Sequence, residues 1–192
     1  MTKFIYLLTL VFVLAACGTG EVPNSGTKEK LDEPLLPTLA EAQEGDFFYR
    51  LVTEKDVYDE FGDLEIFAEL TYVGELESID IYHAASPFFF PLEEKTRGIE
   101  IDYAMNQPLI ITTLQKGKPL RQEFAFAGGY SDNDPVEYVK FIKTIINDGF
   151  PEGEYIIHGS TEFTTAEPPV VEQKDNHLLK ADIGFTVTKN IN

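Results

Sequence analysis

In the stretch DLEIFAELTYVG, Leu64, Ile66, Ala68, Leu70 and Tyr72 occupy alternate positions, with Glu65 and Glu69 between them. A period of two marks a half-buried strand, because successive side chains point to opposite faces of a sheet. GIEIDYAM repeats the pattern, with Ile99, Ile101 and Tyr103 set against Glu100 and Asp102. So does LLKADIGFTVTK, where Leu179, Ala181, Ile183, Phe185 and Val187 alternate with Lys180, Asp182 and Thr186. FFYRLVT, ESIDIYHA and EYIIHGSTEF predict further strands, and LIITTLQKGKPLRQEFAFA predicts a hairpin around Lys116-Gly117-Lys118. Strands at this density, separated by turn residues, predict an all-β fold, an antiparallel β-sandwich.

One segment has the helical period instead. Tyr138, Phe141, Ile142, Ile145 and Ile146 form a stripe, which predicts a helix over about residues 135–147. Asp134 is positioned to cap it, and Pro135 fits the first position, where a missing N–H costs nothing. Asp148-Gly149 should end it, with Gly149 in a left-handed conformation. A single helix inserted between strands favours a decorated sandwich over a layered α/β fold.

Two stretches offer contact residues. Phe88, Phe89 and Phe90 stand together between prolines. Three consecutive strand residues cannot share a face, so one of them, Phe89, is the candidate for a contact surface unless both faces are covered. In FAFAGGYSD, Gly128-Gly129 forms a loop with Tyr130 at its tip. Tyrosine on such a loop suits recognition, although a turn needing positive φ explains the glycines equally well. Pro168-Pro169 marks an extended loop before the last strand.

Upstream, Glu21 to about Glu44 is rich in Pro, Gly, Ser and charge and reads as a flexible tether, with room for a short helical turn around Leu39–Ala42. Before it, Phe4–Ala16 is apolar apart from Thr9 and the phenol of Tyr6, carries no acid and follows Lys3. That run falls short of the about 20 residues a bilayer span needs and suits a signal-peptide core. It ends Leu14-Ala15-Ala16-Cys17-Gly18, which resembles the lipobox of bacterial lipoproteins. The resemblance implies cleavage before Cys17, whose thiol receives a diacylglycerol and which becomes the new N-terminus. Two acyl chains supply the two-signal anchoring that one chain would not. The expected organisation is a leader over 1–16, a lipidated N-terminus and tether over 17–45, and a β-sandwich over 46–192. The expected location is the extracytoplasmic face of the cell membrane.

Charge and motifs narrow the function classes. The chain carries 33 Asp and Glu against 15 Lys and Arg, a formal net charge of −18. Removing residues 1–16 takes away a lysine and leaves it more acidic still. Nucleic acid and anionic head groups would be repelled, so no nucleic-acid partner is expected, and membrane attachment falls to lipid at Cys17. Cys17 is the only cysteine, which leaves the domain without disulfides or thiol chemistry.

His83, His158 and His177 lie far apart, without H-x-H or H-E-x-x-H spacing, so no metal site is expected from them. The weak cation candidates are Asp132 and Asp134 in GGYSDNDPVEY, beside Asn133 and Glu137. That stretch lacks the EF-hand pattern, and Asp134 as a helix cap with Asp132 as a surface charge explains it without a metal. No G-x-S-x-G, P-loop or Rossmann glycine pattern occurs, and Ser78, Ser86, Ser131 and Ser160 have no triad context. Paired carboxylates carry no information in so acidic a chain. No cofactor and no catalysis are expected.

Pro151-Glu152-Gly153-Glu154-Tyr155 is similar to the turn entering a late strand of immunoglobulin-like and fibronectin-like domains, where the tyrosine packs inward. The chain as a whole resembles small surface lipoproteins of Gram-positive bacteria that carry an immunoglobulin-like domain of unassigned activity. These resemblances imply a non-catalytic binding module of the cell envelope, with an envelope protein or cell-surface component as partner. A fainter similarity to sandwich-type proteinase inhibitors gives one alternative, and an envelope hydrolase gives another.

Overall fold

The computed structural model describes residues 36–166 and 174–189. Cys17, the leader, most of the tether and Pro168-Pro169 lie outside the described residues. In chain order the elements are β1 (Leu39–Glu44), β2 (Phe47–Thr53), β3 (Val57–Asp59), β4 (Ile66–Tyr72), β5 (Ser78–His83), β6 (Phe88–Phe89), β7 (Leu92–Glu94), β8 (Ile99–Ile101), β9 (Ile110–Gln115), β10 (Leu120–Glu123), α1 (Val136–Asp148), β11 (Gly153–Ala166) and β12 (Lys174–Thr188).

Among the described residues, two packed sheets and a single helix make an all-β sandwich. One sheet has the order β1-β2-β4-β10. The other runs β3-β12-β11-β5-β9, with β6 and β7 also against β11 and β8 against β7. The long β11–β12 pair, registered from Gly153↔Val187 to Ala166↔Lys174, is the spine of that second sheet. Opposite β12, the other edge of β11 is covered in turn by β7, β6 and β5. Those three are one line of chain interrupted at Pro87 and Pro91. Proline has no N–H to give to the ladder but keeps its carbonyl. Accordingly the Pro87 carbonyl accepts from Glu162 N–H at 2.8 Å and the Pro91 carbonyl from His158 N–H at 3.0 Å.

The alternation read from sequence is the core. Ile66, Ala68, Leu70 and Tyr72 of β4 face Leu179, Ala181, Ile183, Phe185 and Val187 of β12 within one buried cluster. Tyr155 and Phe185 stack at 5.2 Å, and Phe150 meets Tyr155 edge-on at 5.3 Å. As the turn motif implies, Tyr155 packs inward, and its hydroxyl donates to the Pro151 carbonyl at 2.7 Å. Phe67, on the opposite face of β4, is also buried, under the Arg121 guanidinium 3.4 Å from its ring centre.

Four expectations need correction. Leu39–Glu44, placed in the tether, is strand β1, paired with β2 throughout. Its inward residues Ala40 and Ala42 are too small to register as a hydrophobic pattern, and the expected helical turn there is absent. The Lys116-Gly117-Lys118 turn exists, with Gly117 at φ 71°, but its arms do not form a hairpin. β9 pairs with β5 in one sheet and β10 with β4 in the other, so the turn carries the chain across the sandwich seam.

The third correction is at the start of α1. Pro135 takes the cap position with ψ 139° and there is no side-chain cap. The Asp134 carboxylate turns back to accept Ser131 N–H at 2.5 Å. The fourth lies in the stripe and its end. Phe141, Ile142 and Ile145 are buried but Ile146 is 53% exposed. Gly149 has positive φ (106°) with ψ −171°, an extended glycine conformation instead of the left-handed helical one.

Candidate interaction surface

Tyr130 is exposed. Two bonds hold its loop. The Tyr138 hydroxyl of α1 donates to the Gly129 carbonyl at 3.1 Å, and Ser131 N–H is held by Asp134. Lys143 Nζ stands 5.1 Å from the Tyr130 ring centre, a cation–π contact that places the ring along the outer side of the helix. Tyr130, Val136, Val139, Lys140 and Lys143 line a shallow cleft there. The glycines before Tyr130 are not there for positive φ, since neither adopts it. Gly128 is needed for space, because a Cβ on it would come within 2.5 Å of Ile101 Cγ2 and of the Phe126 ring.

Phe89 is half-buried between fully buried Phe88 and Phe90, and its ring meets Tyr103 edge-on at 6.1 Å. Its outward face is therefore partly covered by the segment that follows β8. Asp132 is exposed and the Asp134 carboxylate accepts Ser131 N–H, and both line the cleft beside α1. Among the described residues, no group of three or more His, Cys, Asp or Glu is arranged to hold a metal ion.

The three histidines have separate environments. Buried His83 donates from Nδ1 to the Ala84 carbonyl at 2.8 Å, which fixes the tautomer in which Nε2 accepts from Thr112 Oγ1 at 2.8 Å. Burial pushes its pKa below the usual histidine value. His177 stacks on Phe163 at 4.9 Å and lies 3.1 Å from Thr165 Oγ1.

Exposed His158 lies cross-strand from Asp182, with Nδ1 3.1 Å from its carboxylate, while Nε2 faces Glu93 at 3.4 Å. An imidazole backed by a carboxylate is half of a nucleophile-activating triad. Here the other ring nitrogen meets a second carboxylate, so no hydroxyl is presented for activation. The two carboxylates flank opposite ring nitrogens, which also prevents them from joining the imidazole as ligands to one ion.

Glu94 has no signature in the sequence. Its carboxylate is fully buried and closes the turn after β7, accepting Thr96 N–H at 3.0 Å and Arg97 N–H at 2.7 Å. Arg97 Nη1 lies 3.2 Å from it, donates to the Glu152 carbonyl at 3.0 Å, and the guanidinium lies 5.2 Å from the Phe141 ring centre. A Cβ at Gly153 would fall 2.5 Å from Glu94 Oε1, so β11 must begin with glycine. Burial, then the nearby Glu94 charge, pushes the Tyr155 phenol above the usual tyrosine value. This node joins the β7–β8 turn, α1 and the start of β11, and its groups serve the fold.

Comparison with protein-family models, with curated proteins and with solved structures finds no match in any of the three. Among the described residues, no helix is long and apolar enough to cross a membrane.

Proposed function

We propose that the protein is a lipid-anchored lipoprotein of the extracytoplasmic membrane face whose β-sandwich binds an envelope protein or cell-surface component without catalysis. The observation that carries this reading is Leu14-Ala15-Ala16-Cys17 at the end of the apolar run Phe4–Ala16. The strong net negative charge supports it, since a surface repelled by anionic head groups needs a covalent anchor. Exposed Tyr130 beside the Lys143 ammonium supports recognition, because aromatic and cationic groups together make effective contact anchors.

Cys17→Ala tests the anchor. Membrane fractionation should find the variant released or held as unprocessed precursor, and wild-type processing with full membrane retention would refute it. Crosslinking pull-down from envelopes tests the binding role. It should recover a partner whose yield drops in Tyr130→Ala, and saturable inhibition in a protease panel would replace the binding role with that of an inhibitor.

A further inference from the structure

We infer that the loop carrying β3 is a docking surface for a basic segment of a partner protein, with the Phe61 ring as its apolar contact. Tyr130 is no part of this surface, which exists whether or not Cys17 is lipidated. Val57 and Phe61 are 48% and 47% exposed on the loop. Exposed apolar groups rimmed by polar ones mark contact sites, and aromatic rings are enriched in them. Among the described residues, Phe61 is the one residue other than glycine with positive φ (60°). That conformation costs a bulky residue free energy that glycine avoids. Its backbone is nevertheless held in place. Phe61 N–H donates to the Phe150 carbonyl at 2.9 Å, and Glu60 N–H to the Thr188 carbonyl at 2.8 Å. A strained residue thus presents a large part of its ring to solvent from a fixed position.

Charge selects the occupant. In residues 54–65, Glu54, Asp56, Asp59, Glu60, Asp63 and Glu65 stand against Lys55 alone. Lys55 is paired with Glu65, and Lys189 is paired with Glu152 at 3.2 Å. Glu152 adjoins the loop, its N–H donating to the Glu60 carboxylate at 3.2 Å. The end of α1 adds to the negative field. Gly149 packs on the loop so closely that a Cβ there would fall 3.1 Å from Phe61 Cα. The last turn of the helix holds Asp148 and no basic residue. A helix C-terminus carries a partial negative charge that a cation usually offsets, and an incoming Lys or Arg supplies that offset here.

The carboxylates are dispersed, since no three acidic or histidine groups among the described residues are arranged to hold a metal ion. Spaced charges around a ring suit spaced cations along a chain, one of which can stack on the ring. At a net charge of −18, the chain repels anionic surfaces and steers a cationic partner inward.

Fluorescence anisotropy of a labelled lysine-arginine decapeptide, titrated with the full chain in neutral detergent, tests the surface. The wild type should bind saturably, and Asp59→Asn with Asp63→Asn should weaken the dissociation constant about tenfold. Glu100→Gln with Glu162→Gln makes the same charge change at exposed strand positions elsewhere and should weaken it about twofold or less. Phe61→Gly should weaken it about fivefold or more. Its melting midpoint should stay within about 3 °C of wild type, because relief of the left-handed backbone offsets the lost ring contacts. Absence of saturable binding, or equal losses in the two paired variants, overturns the inference. So does wild-type affinity in Phe61→Gly, and a larger fall in its midpoint makes the ring part of the fold and overturns its role as a contact. Displacement of the decapeptide by an equal concentration of calcium ions would show an ion site and overturns the docking surface as well.

Discussion

The sharpest consequence of the structure concerns Glu94. Its carboxylate has no solvent exposure and receives the N–H groups of Thr96 and Arg97, with Arg97 Nη1 at 3.2 Å. Glu94→Gln keeps the size of the side chain but removes the charge. It also turns one acceptor into a donor aimed at donors, so at least one backbone N–H loses its partner. A hydrogen bond to a charged group is worth about 1.5–3 kcal/mol, and Thr96 and Arg97 lie at an exposed turn where water recovers part of the loss. The expected cost is about 2 kcal/mol for Glu94→Gln and about 3 kcal/mol for Glu94→Ala, which also leaves a void.

For a domain of this size each kcal/mol moves the thermal midpoint by about 2–4 °C, so Glu94→Gln should melt about 4–8 °C lower. Circular dichroism melts and urea titrations at neutral pH read the change. In a cycle with Arg97→Ala, the coupling should reach about 1 kcal/mol, because the partners touch. A Glu94→Gln midpoint within about 1 °C of wild type would refute the assignment of the node as structural.

Other outcomes follow from single side chains. The Tyr155 hydroxyl bonds Pro151 whereas the buried Tyr49 hydroxyl has no partner among the described residues. Tyr155→Phe should therefore cost about 1 kcal/mol in urea titration and Tyr49→Phe should be neutral or stabilising; the reverse order would contradict both placements. Gly149→Ala should lower the melting midpoint by several degrees. Its φ is 106° and a Cβ would sit 3.1 Å from the Phe61 backbone, so an unchanged midpoint would exclude this conformation.

His83 is held below its ordinary value of 6.5, so on acidification the unfolded chain takes up its proton first. Its contribution to stability is complete above pH 6.5 and lost as pH falls below it. Urea titrations below that pH, before most carboxylates titrate, should show a flatter pH slope in His83→Gln. Equal slopes would contradict the buried neutral imidazole.

The sandwich was legible where bulky apolar residues alternate with charge. β4 and β12 are marked by Glu65 and Glu69, and by Lys180 and Asp182, facing away from the core. β1 was not legible because alanines face inward and Glu41, Gln43 and Glu44 give it the composition of a tether. The partners of β9 and β10 were not legible either. A local turn sets the direction of two strands, whereas which strand each one pairs with is decided by distant residues.

At the start of α1, Asp134 met every sequence criterion for a cap, yet Pro135 occupies that position and frees the carboxylate for Ser131. For the candidate surface, the exposure of Tyr130 was readable from its glycine loop, while the cover that Tyr103 gives Phe89 was not. Glu94 is one of 33 acidic residues, and only the folded chain distinguishes it.

The central claim rests on one thiol, and mass spectrometry of the membrane-extracted native protein tests it directly. The account predicts a mature chain that begins at Cys17 and carries a diacylglyceryl group on its sulfur. A chain that retains residues 1–16, or one with Cys17 present as an unmodified thiol, would contradict it.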